Sequence, residues 1–129
     1  MRFKYVFDSG KFLPIIPIKL RGNEDWIEFN GYIDTGASFC LFHADVAGIL
    51  GINLESGEKR EMILGDGDSM VVYIHKVPVL LADKEFIASI GFSRDLKIHF
   101  YIIGREDLFN QFIICFHEKE KMIEFTPIF

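Results

Sequence analysis

Tyr32-Ile33-Asp34-Thr35-Gly36-Ala37-Ser38 is the most informative stretch of this chain. An apolar strand runs straight into an acid, a small hydroxyl residue and a glycine. That order suits a carboxylate held at the end of a buried strand. The hydroxyl can anchor the turn, and the glycine permits a backbone approach that a Cβ would block. A second phrase, Tyr101-Ile102-Ile103-Gly104-Arg105, repeats the apolar-apolar-glycine rhythm without the acid. The two phrases suggest two crossed turns around one carboxylate. A lone carboxylate is a poor hydrolytic group, so one acid per chain points to chains acting in pairs.

The surroundings of Asp34 read as short strands separated by turns. Trp26 to Ile33 is a strand that delivers Asp34, and it forms a hairpin with Pro14 to Leu20 across Arg21 to Asp25. The prolines of the first arm fit an edge strand or an extended segment. Upstream, Phe3 to Phe7 alternates like a strand and Asp8-Ser9-Gly10 is a turn. Downstream, His43 to Leu50 reads as a short helix stopped by Gly51. Met62-Ile63-Leu64 and Met70 to Ile74 flank the tip Gly65-Asp66-Gly67-Asp68-Ser69, a strong hairpin signal. Val77 to Ala82 and Phe86 to Ile90 form another hairpin across Asp83-Lys84. His99 to Ile103 is the second inner strand. Leu108, Phe109 and Phe112 recur at helical spacing, which predicts a short helix over Arg105 to Phe112. Phe112 to Phe116 and Met122 to Phe125 close the chain as strands.

Composition narrows the classes of function. The 129 residues suit one domain over 1–129, and half are hydrophobic, enough for a core and too rich for a disordered chain. Net charge is −5, with Lys and Arg scattered among acids, so no basic stripe points to a nucleic-acid partner. No apolar run is long enough to span a bilayer, and the N-terminus lacks the apolar run of a signal peptide. The reading is a soluble cytoplasmic protein without a membrane partner. Cys40 and Cys115 both sit among apolar residues and read as buried, reduced thiols. No Cys-x-x-Cys pair or histidine ligand spacing appears, so neither a metal nor another cofactor is expected.

Asp34-Thr35-Gly36-Ala37-Ser38 together with Ile102-Ile103-Gly104-Arg105, a glycine-tipped hairpin between them and a final hairpin after them, resembles the retropepsin-like aspartic proteases. The resemblance runs from about Ile15 to Phe125. It implies an all-β, closed acid-protease barrel of one pepsin-like lobe, with one or two short helices. It also implies a homodimeric aspartic endopeptidase in which Asp34 of each copy meets its mate on a two-fold axis, with a peptide or protein as substrate. Thr35 would brace the partner's loop, Gly36 would approach a bound peptide, and Ala37 and Ser38 would flank it. Ile102, Ile103, Gly104 and Arg105 would support the loop from beneath. Gly65, Asp66 and Gly67 would form a flap tip, with Met62, Ile63, Met70 and Val72 at its root.

The chain departs from that pattern at three places. Ser38 stands where the retroviral enzymes usually carry an acid that pairs with the arginine of the second phrase, so Arg105 needs another partner, Asp107 or Glu106. The flap tip carries Asp66 and Asp68, so two tips meeting on an axis would repel at neutral pH. Met122 to Phe125 looks like half of an internal hairpin, whereas retroviral chains interleave their terminal strands. Plainer readings stay open beside the resemblance. Asp34-Thr35-Gly36 can be only an Asx-type turn, Gly65-Asp66-Gly67 only a hairpin turn, and the whole a catalytically inactive module that binds a peptide or protein.

Overall fold

Short β-branched and aromatic runs separated by turns produce a chain built mainly of sheet. The structure is a computed structural model and describes residues 1–63, 66–97 and 100–129. In chain order it runs β1 (Arg2–Lys4), β2 (Val6–Asp8), β3 (Lys11–Leu13), β4 (Ile15–Arg21), β5 (Trp26–Ile33), β6 (Cys40–His43) and α1 (Ala44–Ile49). A 3-10 turn (Leu54–Ser56) leads to β7 (Glu58–Ile63), β8 (Ser69–Leu81), β9 (Lys84–Ser93) and β10 (Tyr101–Ile103). A second 3-10 turn (Phe109–Gln111) precedes β11 (Phe112–His117) and β12 (Met122–Pro127). The all-β class expected from the sequence is what is found.

Seven strands form one sheet in the order β4-β5-β10-β6-β9-β8-β7, and β4 also pairs with β8. That last contact rolls the sheet back on itself through two residue pairs, Lys19 with Leu80 and Leu20 with Val79. A smaller sheet, β1-β12-β11, joins the first and last strands, and β2-β3 is a hairpin by itself. Alternation decides what faces inward. Along β4, Ile16, Ile18 and Leu20 are buried while Pro17 is exposed. They share one core with Ile33, Phe42, Val79, Ile90, Phe92 and Ile103. Phe42 stacks on Tyr101 with ring centroids 4.6 Å apart.

Several elements differ from expectation, each for a local reason. The strand expected over Phe3 to Phe7 is split at Tyr5, whose N–H donates to the Lys121 carbonyl at 2.8 Å and whose hydroxyl donates to Glu118 at 3.0 Å. The chain there leaves the small sheet and enters the β2-β3 hairpin, turned by Ser9 and Gly10 at φ 50° and 83°. β4 is paired on both sides, but β8 touches it only beyond Pro17, so that contact does not need the missing N–H. β8 is one 13-residue strand where two were expected, and its hairpin to β9 turns on Ala82 and Asp83, both left-handed.

The helix expected over Arg105 to Phe112 is absent. Asp107 sits at φ 63°, which breaks any helical run, and only the 3-10 turn follows. The helical spacing of the apolar residues arises otherwise: Leu108 enters the core from a turn and Phe112 from the start of β11. The other helix does form. His43 caps it by accepting the Asp45 N–H on Nδ1, and Gly51 at φ 75° ends it. Cys40 is buried as expected, but Cys115 is exposed on β11; both are free thiols. The described residues contain no helix long and apolar enough to cross a membrane.

Candidate active site

The two glycine-ended phrases meet at one end of the barrel. β10 runs parallel to β5, with Tyr101 opposite Gly31, Ile102 opposite Tyr32 and Ile103 opposite Ile33. Gly31 is forced by this packing, since a Cβ there would lie 2.4 Å from Ile103. Past the last pair the two chains cross rather than continue. The Asp34 N–H donates to the Ile103 carbonyl at 3.0 Å. On the far side of the turn, the N–H groups of Arg105 and Glu106 donate to the carbonyls of Ala37 and Ser38 at 3.1 and 2.7 Å. Gly104 passes beneath Phe39, and β6 then pairs Leu41 with Ile102. The crossed turns expected from the sequence are therefore present.

Asp34 is half-buried at the mouth of this crossing, while Thr35 and Gly36 are exposed at its tip. The loop is wound tightly around the carboxylate. Asp34 Oδ1 accepts the Gly36 N–H at 2.9 Å, and its carbonyl accepts the Ala37 N–H at 3.2 Å. The first contact orients the side chain through Oδ1, and the second closes the loop backbone beneath it. Among the described residues no group of histidine, cysteine and carboxylate side chains could hold a metal ion.

The supporting residues divide. Ile103 and Gly104 lie buried under the loop, and Ile102 is half-buried beside Leu41. Arg105 contributes its peptide N–H, but its exposed guanidinium makes no ion pair among the described residues. Asp107, one of the two partners expected for it, is engaged elsewhere. Its Oδ2 accepts the Ser89 N–H at 2.8 Å and lies 3.3 Å from the Lys76 ammonium. The Ser89 amide, more than any other group, holds the Asp107 carboxyl below the usual aspartate range. Burial pushes the Cys40 thiol beneath the crossing up to about 12, so it remains protonated.

The hairpin opposite is β7-β8, in register from Glu58 with Ile74 to Ile63 with Ser69. Of the three tip residues singled out, Gly65 lies outside the described residues. Asp66 and Gly67 are exposed, Gly67 at φ 90°, and Asp66 caps the Asp68 N–H at 3.0 Å. At the root, Met70 and Val72 are buried with Phe39, while Ile63 is 81% exposed. Sequence reading missed Phe39 as the side chain that joins the Asp34 loop to this hairpin. It also missed Val71, whose N–H donates to Asp95 at 3.0 Å and whose carbonyl accepts from Ser93 at 2.7 Å. Neither partner lies near Val71 in sequence, so no local signal announces them.

A rolled sheet with two crossed loops at one end and a hairpin alongside is the retropepsin-like acid-protease fold. Solved structures bear this out. A retropepsin-like aspartic protease from Rickettsia conorii superposes with a TM-score of 0.66 at 20% identity, covering 96% of this chain and 98% of that one. The retroviral protease-like domain of Ddi1 from Leishmania major follows at 0.64 and 17%, covering 90% of each. The EIAV protease, complexed with the inhibitor HBY-793, reaches 0.55 at 18%, covering 78% of this chain and 88% of that one. No protein-family model and no curated protein sequence matches the chain. At these identities the likeness shows the fold.

Proposed function

We propose that the chain is an aspartic-type endopeptidase that acts as a homodimer, with Asp34 as its catalytic residue. The observation that carries this reading is the Asp34 loop. It presents one oriented carboxylate at an exposed tip, on a fold shared with proteins whose names include aspartic and retroviral proteases. Each chain supplies one such acid, so two copies would place a pair on a two-fold axis. Close carboxylates share a proton rather than both ionising.

The ionised Asp34 would take a proton from a bridging water as its oxygen bonds to the scissile carbonyl carbon. The protonated Asp34 would donate to the carbonyl oxygen. Collapse of the tetrahedral intermediate breaks the C–N bond: the departing amine takes the proton from the first carboxyl, and the second carboxylate takes back a proton from one hydroxyl as the acid product forms. No metal or covalent intermediate enters.

Thr35 would brace the partner's loop; its hydroxyl makes no hydrogen bond among the described residues. Gly36, Ala37 and Ser38 would face an extended peptide bound by strand addition, and the hairpin carrying Asp66 and Gly67 would close over it. The cytoplasm is part of the same proposal, and two free thiols suit a reducing compartment.

A second reading, an inactive module that binds a peptide or protein, draws on the chain ends. β1 pairs with β12 of its own chain, and the Met1 ammonium donates to the Phe125 carbonyl at 2.8 Å. Terminal strands already paired within one copy are not free to interleave with another. Asp34→Asn separates the readings. Under the first, cleavage of a mixed peptide set disappears while fold and dimer persist. Cleavage equal to that of the unaltered protein would end the protease assignment.

A further inference from the structure

The crossing at Asp34 is held from outside by a turn that is itself tied to the core and to β9. Arg105 and Glu106 grip the carbonyls of Ala37 and Ser38, the far arm of the Asp34 loop, with their N–H groups. Leu108, fully buried, anchors the other end of this turn in the core. Between them stands Asp107, at a left-handed φ of 63°, uncommon for a non-glycine residue but better tolerated by aspartate than by most.

Its side chain is held by two contacts. β6 begins to pair with β9 at Cys40 opposite Ile90, one residue beyond Ser89. The Ser89 N–H, with no strand to receive it there, donates instead to Asp107 Oδ2 at 2.8 Å. The Lys76 ammonium, opposite Ser89 on β8, adds the charge partner at 3.3 Å. Ser89 is almost fully buried, so its amide needs this acceptor.

We infer that Asp107 is a positioning residue for the Asp34 loop: by accepting the Ser89 N–H it holds the turn whose amides grip Ala37 and Ser38, and so sets the orientation of the Asp34 carboxylate. The kinetic consequence rests on the protease reading; the structural one does not. Asp107 also links the loop to β8, the strand that begins at the root of the acidic-tipped hairpin. A displacement of the loop by a fraction of an ångström would therefore follow loss of a contact that touches no substrate.

The test compares Asp107→Ala with Asp107→Asn, which keeps an acceptor oxygen for the Ser89 N–H. In Asp107→Ala, amide hydrogen exchange at Arg105 and Glu106 should quicken by about tenfold or more, while core amides of Ile90 and Leu20 stay slow. Asp107→Asn should restore most of the protection. With a cleavable peptide, Asp107→Ala should lower kcat by about ten- to a hundredfold with little change in KM. Unchanged exchange at Arg105 and Glu106, or acceleration spread equally over the core, would overturn the inference. Should the unaltered protein cleave nothing, the protease reading fails, and the exchange comparison still decides the role of Asp107.

Discussion

Gly104 runs directly under Phe39: a Cβ on Gly104 would fall 2.4 Å from both the carbonyl carbon and the carbonyl oxygen of Phe39. The obstacle is backbone, which cannot swing aside like a side-chain tip. Gly104→Ala must therefore push the two crossed loops apart. Overpacking of this kind costs roughly 1–3 kcal/mol, read as a lower melting temperature. Because the displaced segment carries Asp34, peptide cleavage, on the protease reading proposed above, should fall further than stability alone explains. A variant with an unaltered melt would show that the crossing is looser than described.

Gly36 tests the opposite case. A Cβ there would meet only Asp34 Oδ1, at 3.3 Å, in an otherwise open position. Gly36→Ala should melt within a degree or two of the parent, since the loop tip is exposed. Peptide cleavage should nonetheless drop by about tenfold or more, because the contact presses on the oriented oxygen. Parallel thermal and kinetic assays check this, and full activity would argue against Asp34 as the reacting group.

The tip carboxylates of Asp66 and Asp68 are exposed and stand on the hairpin proposed to close over substrate. Two such tips approaching on an axis repel while charged. Cleavage should therefore favour acidic pH or basic peptides, and Asp66→Asn with Asp68→Asn should raise activity at neutral pH. A profile that peaks at neutral pH on acidic peptides would remove this account of the hairpin.

Acid should unfold the protein through identifiable contacts. Asp107, Glu118 and Glu124 are all held below the usual carboxylate range, chiefly by the Ser89 amide, Lys121 and Arg2 respectively. A depressed folded pKa means that the unfolded chain binds the proton first. The stabilisation is complete above the unfolded values, near about 4, and is lost as pH falls through the folded ones. Melting temperature should be level down to about pH 5 and then decline. Arg2 is exposed and Glu124 only half-buried, so Arg2→Ala should change that decline only slightly.

Tyr5 has the reverse sign. Burial, and then the Glu118 carboxylate, raise its phenol to about 12. Its contribution is present below the ordinary tyrosine value and fades as pH rises through that folded pKa. Ultraviolet titration should show one fewer late-ionising phenol in Tyr5→Phe. The thiols offer a companion measurement. A chromogenic disulfide reagent should label exposed Cys115 at once and buried Cys40 only after denaturation. Rapid labelling of both would contradict the packing under Gly104.

Much of this was legible from local chemistry. Asp34-Thr35-Gly36 after an apolar strand, and Ile102-Ile103-Gly104, predict turns because glycine and aspartate have few other reasons to stand there. The two-residue hairpin at Ser9-Gly10 and the longer one between Ile63 and Ser69 are read from turn residues, and the α1 stop from Gly51. Arg105 to Phe112 misled because apolar spacing reports burial, not the backbone path. Leu108 and Phe112 reach the same core from a turn and a strand. Cys115 misled because its apolar neighbours are themselves exposed on an outer strand, among them Ile113 and Phe116.

The amino-acid order by itself determined the all-β character and the position of one acid at a strand end, since alternation, β-branching and turn residues act over a few neighbours. Only the tertiary structure decided which backbone groups hold that acid. The Ile103 carbonyl, the Arg105 and Glu106 amides and the Asp107-to-Ser89 contact join residues far apart in the chain. Such pairings depend on how the rolled sheet closes, and no short window of sequence encodes them.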